Sequence, residues 1–326
     1  MALLDSHGRK LTYLRLSLLD KCNFRCFYCQ PYEHHSEAHR ASALNTVEIK
    51  NLSQALGLLG VKKIRLTGGE PTLRPDIVEI VSTLSDLGYF DKIALSTNAF
   101  ALKDLAPKLK NAGLDAVNIS LDALQRDKFI EATGMDKLHE VKEGIAAALA
   151  AGIATIKVNA VLMKGINDGD LQSFLALVKD APISMRFIEF MRTGNNADHY
   201  AKFFVSTDLF RAQLELMGWM EVPKGFGDGP AKVFSHPDYI GTMGFISPYS
   251  RKFCTDCNRL RIDSRGRLRM CLFGKMDYDL RQFMQQEDMI PLLQQHIIEL
   301  INFKPKEHFL DKNDPGDTKN LLSIGG

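Results

Sequence analysis

Between residues 12 and 190 a short run of β-forming residues is followed, again and again, by a longer stretch with helical periodicity. This alternation restricts the fold more than any other feature of the chain. The strand-like runs are Thr12–Leu18, Lys62–Thr67, Lys92–Thr97, Ala116–Leu121, Thr155–Leu162 and Ile183–Phe190. Between them lie amphipathic stretches at Val47–Leu59, Ile77–Leu87, Leu102–Asn111, Leu138–Ala151 and Leu171–Val178. Asn45 with Glu48 reads as a capping box, and Gly60, Gly88, Gly113 and Gly152 stand where helices end. Strand–helix units in series require parallel strands joined by right-handed crossovers. The expected class is α/β: a partial (β/α)6 TIM-like barrel, or an open sheet of the same strands, over residues 1–220.

Parallel strands covered on both faces usually read as continuous apolar runs. Here Tyr13, Arg15 and Ser17 share one face of the first run, Lys63, Arg65 and Thr67 one face of the second, and Lys157 and Asn159 one face of the fifth. An antiparallel sheet with a wet face would alternate too, but the intervening helices must pack on one side and return the chain each time. The expected result is a curved sheet around a wet, cationic cavity, with Arg15, Arg65 and Lys157 pointing inward and suited to an anionic substrate such as a nucleotide triphosphate. Polar segments follow the strand ends: Cys22–Cys29, Gly68-Gly69-Glu70-Pro71, Thr97-Asn98, Ser120-Leu121-Asp122 and Glu189 to Met191. That is the end at which β/α barrels carry active sites.

Past Met220 the rhythm stops. The chain reads as loop and short strand to about Arg269, then helices near Tyr278–Gln286 and Ile290–Asn302, then a polar tail ending Ser323-Ile324-Gly325-Gly326. Residues 221–326 are expected to form a smaller C-terminal α+β part. Its glycine-rich segment Lys224–Pro230 neither follows a strand nor opens a helix, so it is not a dinucleotide loop, and no Walker A pattern occurs.

A 45% hydrophobic share is enough for a full core, and a net charge of +2 gives no bulk attraction to nucleic acid or membrane. Met1–Lys10 is polar and no apolar run reaches the length of a membrane span. The cytoplasm is the expected location, and in that reducing setting six cysteines do not read as three disulfides. They fall into two sets, Cys22, Cys26 and Cys29, and Cys254, Cys257 and Cys271, which read as metal ligands. The first set has the spacing C-x3-C-x2-C. A cubane iron–sulfur cluster normally takes four thiolates, so three leave one iron open to a small molecule. Structural zinc completed by His34, His35 or His39 is the competing reading.

Cys22-x3-Cys26-x-Tyr28-Cys29 after one strand, with Gly68-Gly69-Glu70-Pro71 after the next, resembles the radical S-adenosylmethionine (SAM) superfamily. The resemblance implies a [4Fe–4S] cluster on Cys22, Cys26 and Cys29 that cleaves SAM, with cofactor contacts from Tyr28, Gly69, Ser120 and Met191. Cys254-Thr-Asp-Cys257-Asn-Arg259-Leu260-Arg261, with Cys271, resembles the C-terminal signature of the GTP 3′,8-cyclase family. This implies a second [4Fe–4S] cluster on Cys254, Cys257 and Cys271 with an iron free for guanine. It also implies GTP contacts from Arg15, Arg65, Thr97, Lys157, Arg259, Leu260 and Arg261, and a Gly-Gly tail that enters the site.

The activity implied is cyclisation of GTP, the first step of molybdenum cofactor biosynthesis. A small redox protein would donate electrons and cyclic pyranopterin monophosphate synthase would act next; neither nucleic acid nor membrane is implied, and a homodimer is left open. Arg251, Lys252, Arg259, Arg261, Arg265, Arg267 and Arg269 run through the second cysteine set with only Asp256 and Asp263 among them, and are expected to form a polyphosphate site. One departure is visible: the family usually has glycine after Thr97-Asn98, where this chain has Ala99. Two other readings stand. One is a peptide-modifying radical enzyme with an auxiliary cluster. The other is a zinc-stabilised nucleic-acid-binding protein, whose affinity would fall steeply with salt.

Overall fold

Leu14, Leu16, Ile64, Leu66, Leu95, Val117, Ile119 and Val158 are completely buried on the helix side of the sheet, while the residues between them turn to the other face. The computed structural model describes residues 3–29, 43–223, 225, 229–250, 253–275 and 277–322. Strands β1 (Tyr13–Ser17), β2 (Lys63–Thr67), β3 (Lys92–Thr97), β4 (Ala116–Ser120), β5 (Thr155–Leu162) and β6 (Ile183–Glu189) stand side by side and parallel. Helices α1 (Thr46–Leu58), α2 (Ile77–Asp86), α3 (Leu102–Asn111), α4 (Arg126–Thr133), α5 (Leu138–Ala150) and α6 (Leu171–Lys179) lie in the crossovers. The chain then forms α7 (Ala197–Phe203), α8 (Asp208–Leu216), β7 (Met220–Val222), β8 (Lys232–Ser235), β9 (Thr242–Ile246), β10 (Arg259–Ile262), β11 (Arg267–Arg269), β12 (Asp277–Asp279) and α9 (Ile290–Leu300).

The strand order is β12-β11-β10-β1-β2-β3-β4-β5-β6-β9-β8-β7, an open sheet consistent with a partial barrel. The parallel set extends beyond the six expected strands, because β10 pairs parallel with β1 and β9 parallel with β6. No local pattern announced this, since β10 finds its partner across more than two hundred residues of chain. Register then aligns basic residues from both ends of the sequence: Arg261 beside Arg15 beside Arg65, and Arg259 beside Tyr13 beside Lys63.

The expected capping box holds: Asn45 Oδ1 accepts the Glu48 amide at 2.9 Å and the Asn45 amide donates to Glu48 at 2.8 Å. The expected helix at Tyr278–Gln286 does not form. Asp277–Asp279 is strand β12, and a 3-10 turn follows at Arg281–Met284. The Asp279 carboxylate takes the Arg281 amide (2.9 Å), and Asp277 pairs with Arg269 on β11 (2.6 Å). Both acids favour the ladder and turn over a helical start. Helix α7 went unread for a simpler reason: none of its residues is buried, so it carries no apolar stripe.

Ala99 adopts φ +63°, the left-handed conformation for which glycine is the ordinary solution. It is held there by packing on α5, where a Cβ at Gly144 would lie 2.4 Å from the Ala99 carbonyl oxygen. The left-handed alanine costs about 1–2 kcal/mol. Ala99→Gly would remove that strain but loosen the unfolded chain by about 0.4–1 kcal/mol and lose a buried methyl of about 0.8 kcal/mol. Ala99→Gly is therefore expected to leave stability within about 1 kcal/mol of wild type, whereas Gly144→Ala should cost about 1–3 kcal/mol by overpacking. Urea unfolding of the two variants checks this, and a marked gain from Ala99→Gly would contradict it.

Candidate active site

The first cysteine set sits in the loop after β1, and that loop lies directly on the turn after β2. The Gly69 amide donates to the Leu19 carbonyl and the Glu70 amide to the Lys21 carbonyl, both at 2.8 Å. A Cβ at Gly69 would stand 2.1 Å from the Lys21 carbonyl oxygen, and Gly68 has φ +138°. The glycines thus let the cysteine loop approach the turn.

Glu70, 1% exposed, ties three loops together. Its Oε1 accepts the Thr72 amide (3.0 Å), the Thr72 hydroxyl (2.6 Å) and the Thr97 hydroxyl (2.8 Å), and Oε2 accepts the Asn98 amide (2.6 Å). Asn98 Nδ2 in turn donates to Asn23 Oδ1 (2.7 Å) and Cys22 Sγ (3.9 Å). Burial holds the Glu70 carboxyl above its ordinary range despite these donors. Across the loop, Tyr28 Oη donates to Asp122 Oδ2 (2.7 Å), and Asp122 Oδ1 accepts the Val161 amide (2.8 Å). Burial lifts Asp122 to about 6.

All six cysteines are free thiols. Burial pushes Cys22 up to about 11 and Cys29 to about 12. Burial likewise raises Cys26, with further push from Asp122 and from the neighbouring Cys29 and Cys22. Thiols this close and this dry ionise together only if a cation centre takes their charge. Cys254 and Cys257 lie just before β10, and Cys271 just after β11. Burial raises Cys254, and its neighbours Cys271 and Cys257 push the same way. Burial acts on Cys257 as well, but the Arg259 guanidinium and the Lys304 ammonium bring it down to about 6.

Among the described residues no three or more His, Cys, Asp or Glu side chains stand where a single metal ion would hold them. A tetrahedral ion needs every ligand within its own bond length, whereas a cubane attaches each thiolate to a different iron, around a larger volume. Each trio presents three free, cavity-lining thiols, and thiolates are the ligands of iron–sulfur clusters, so the chemistry of the donor sets fits such a group. His34, His35 and His39 lie outside the described residues.

Both trios line one cavity of about 290 Å³, with Tyr28, Gly69, Ser120, Met191, Arg15, Arg65, Thr97, Lys157, Arg259 and Arg261 in its wall. Leu260 is the exception among the expected site residues: it points to the helix side and is completely buried in the core beside Leu14. Thr97 lines the cavity, but its hydroxyl is committed to Glu70 and to the Ala99 amide. The expected polyphosphate run is corrected in part. Arg265, Arg267 and Arg269 are paired with Asp20, Asp263 and Asp277, leaving Arg259 and Arg261 as its cavity members; Arg251 and Lys252 lie outside the described residues.

The cavity also takes Lys63 and Asp122, which the strand-face and strand-end patterns include, and Arg186, Asn118 and Lys304, which they do not. Lys63 and Asn159 were visible on the same strand faces as Arg65 and Lys157, and Arg186 follows the same alternation on β6; Lys304 gave no signal. The positive charges crowd one another. Burial, then Arg186, Lys63, Arg65 and Lys92, lower Lys157 to about 6, while burial and Arg259 lower Arg261 to about 10. Arg65 Nε is buried without a hydrogen-bond partner among the described residues. Such a wall calls for a polyanion. The tail reaches the same space: the Leu321 amide donates to the Cys29 carbonyl at 3.4 Å, and Leu321 and Leu322 line the cavity. Gly325 and Gly326 lie outside the described residues.

A family model described as Radical SAM superfamily matches residues 16–178, and one described as Molybdenum Cofactor Synthesis C matches residues 183–310. The chain is 44% identical over 324 residues to a protein of Photorhabdus laumondii subsp. laumondii named GTP 3′,8-cyclase, covering 99% of each. It is 42% identical over 324 residues to the Haemophilus influenzae protein of the same name, covering 99% of this chain and 96% of that one. Among solved structures, Streptococcus suis SuiB bound to S-adenosylmethionine is similar in fold, with TM-score 0.62 at 15% identity, covering 91% of this chain and 69% of that one.

Proposed function

Because the chain belongs to the GTP 3′,8-cyclase family of radical SAM enzymes, we propose that its cavity converts GTP to (8S)-3′,8-cyclo-7,8-dihydroguanosine 5′-triphosphate, the first step of molybdenum cofactor biosynthesis. The observation that carries this reading is the single cavity walled by two cysteine trios and by basic residues from both ends of the chain. Within residues 1–220, Cys22, Cys26 and Cys29 would hold one [4Fe–4S] cluster that takes SAM, and within residues 221–326, Cys254, Cys257 and Cys271 would hold a second that is open to the guanine. When bound, the cofactors supply one-electron cleavage chemistry that opens the C3′–H bond of GTP. The reaction runs in the cytoplasm, with electrons from a small redox protein and the product passed to cyclic pyranopterin monophosphate synthase.

The chain's own work is positioning. Arg15, Arg65, Lys157, Arg259 and Arg261 clamp the triphosphate, which fixes the ribose relative to the first trio. Tyr28, Gly69, Ser120 and Met191 line the SAM side, and Asp122 holds Tyr28 in place. Leu321 and Leu322 close the cavity against water near Cys29. Anaerobic reconstitution with iron and sulfide, followed by reductant, SAM and each nucleotide in turn, tests the reading. Deoxyadenosine release that depends on GTP is expected; equal turnover with ATP would remove the substrate assignment.

Lys157 adds a thermodynamic signature. With its ammonium lowered to about 6 by burial and by its cationic neighbours, it is mostly neutral at pH 7.5 in the empty cavity. A bound triphosphate favours the charged form and raises it again, so GTP binding should take up about one proton more in wild type than in Lys157→Met. Calorimetric titration in buffers of different ionisation enthalpy measures the difference; equal uptake would mean that Lys157 is already charged before GTP arrives.

A further inference from the structure

Lys304 is a lysine in an unusual place. It follows α9 and the 3-10 turn Ile301–Phe303, yet its side chain is 3% exposed and reaches the cavity wall beside the second cysteine trio. Its Nζ donates to the Arg259 carbonyl at 3.0 Å and to the Met270 carbonyl. These two carbonyls flank the trio: Arg259 lies two residues past Cys257, and Met270 immediately precedes Cys271. The segment after Lys304 is fixed to the third ligand. Arg9, held by Asp5 at 2.7 Å, donates to the carbonyls of Pro305 (2.7 Å), Lys306 (2.8 Å) and Cys254 (3.2 Å).

An ammonium has three donors and a full charge. Two carbonyls engage two of the donors, and no carboxylate among the described residues pairs with the charge. A dry, unpaired ammonium is costly unless an anion stands nearby. Burial, with Arg9 and Arg259, lowers the Lys304 ammonium, and the anions that act against this are the sulfurs of Cys257 and Cys271, on the two loops that its hydrogen bonds hold. Resting on the reading that the second trio holds a cluster, we infer that Lys304 is the counter-ion and positioning residue of that cluster: it fixes the two loops that carry Cys257 and Cys271 and sets the cluster's reduction potential above the value it would have without the charge. Net charge and hydrogen bonds to sulfur are the levers by which a protein tunes such a centre.

The test is an anaerobic redox titration followed by electron paramagnetic resonance on the reconstituted full chain, with the first cluster as internal reference. In Lys304→Met the second cluster's midpoint should move to lower potential while the first stays where it is; in Lys304→Arg both should stay close to wild type. An unshifted second cluster in Lys304→Met overturns the proposal. If Lys304→Met cannot hold the second cluster, Lys304→Arg decides: assembly at the wild-type potential supports the charge role, and failure alike in both variants overturns it. A wild-type chain with one cluster, or with zinc at the second trio, overturns the reading of that trio and the proposal with it. Two clusters with an unshifted midpoint in Lys304→Met overturn the proposal alone.

Discussion

Cys26→Ala should abolish 5′-deoxyadenosine formation, while Cys257→Ala should keep a residual, unproductive release of it and lose cyclised product by about 10²-fold or more. The asymmetry follows from where the trios stand. Cys26 belongs to the loop braced by Glu70, Asn98 and Asp122, and removing one of three thiolates there leaves too few ligands to retain a cubane with one open iron. Cys257 belongs to the loop entering β10, at the other end of the parallel β1–β10 pair from the loop that leaves β1. Its loss disturbs how the base is held and leaves the first trio intact. Product and deoxyadenosine quantified from the same anaerobic reaction separate the two cases. Equal loss of both compounds in both variants would mean that the trios do not divide the labour as proposed.

Glu70→Ala should be the most damaging substitution that touches no cysteine. The carboxylate collects four donors in a buried site: the Thr72 amide and hydroxyl, the Thr97 hydroxyl and the Asn98 amide. Each orphaned donor costs about 1–3 kcal/mol. Even allowing for relaxation, a loss of at least about 3 kcal/mol is expected. Glu70→Gln keeps the shape but turns an amide N–H₂ toward donors at one end, so it should fall between alanine and wild type. The damage should reach chemistry as well, because Asn98, released from Glu70, no longer steadies Asn23 and Cys22. Denaturant unfolding of the apoprotein and iron retention of the reconstituted protein measure the two effects. A Glu70→Ala variant with wild-type stability would show that the carboxylate is a bystander.

Much of this arrangement was legible along the chain, for reasons that are local. The six central strands fall within a residue or so of their expected limits, because alternation and glycine stops are both short-range signals. Arg15, Arg65 and Lys157 lie in the cavity wall for the same reason: a period of two names the face. What escaped is non-local. The partners of β9 and β10 are chosen by the open edges of a sheet that already exists, and the split of the C-terminal arginines between Asp20, Asp263 and Asp277 on one side and the cavity on the other depends on that pairing. Leu260 illustrates the limit of carrying roles over from a motif, since a strand sends alternate side chains in opposite directions. Lys304 had no pattern around it at all; only the fold brings it to the cysteines.

The pairing of β1 with β10 has a consequence for biosynthesis. During translation β1 can acquire β2 early, but its other flank remains an unfilled row of amides and carbonyls until the ribosome has released the chain beyond Ile262. Such a flank invites pairing with the wrong strand, and long-range closure is slow. Arg15 lies in the middle of the exposed strand, and an inward-facing charge of this kind discourages a foreign strand from docking. The guanidinium that later grips phosphate thus serves, in the nascent protein, to keep its place open for β10.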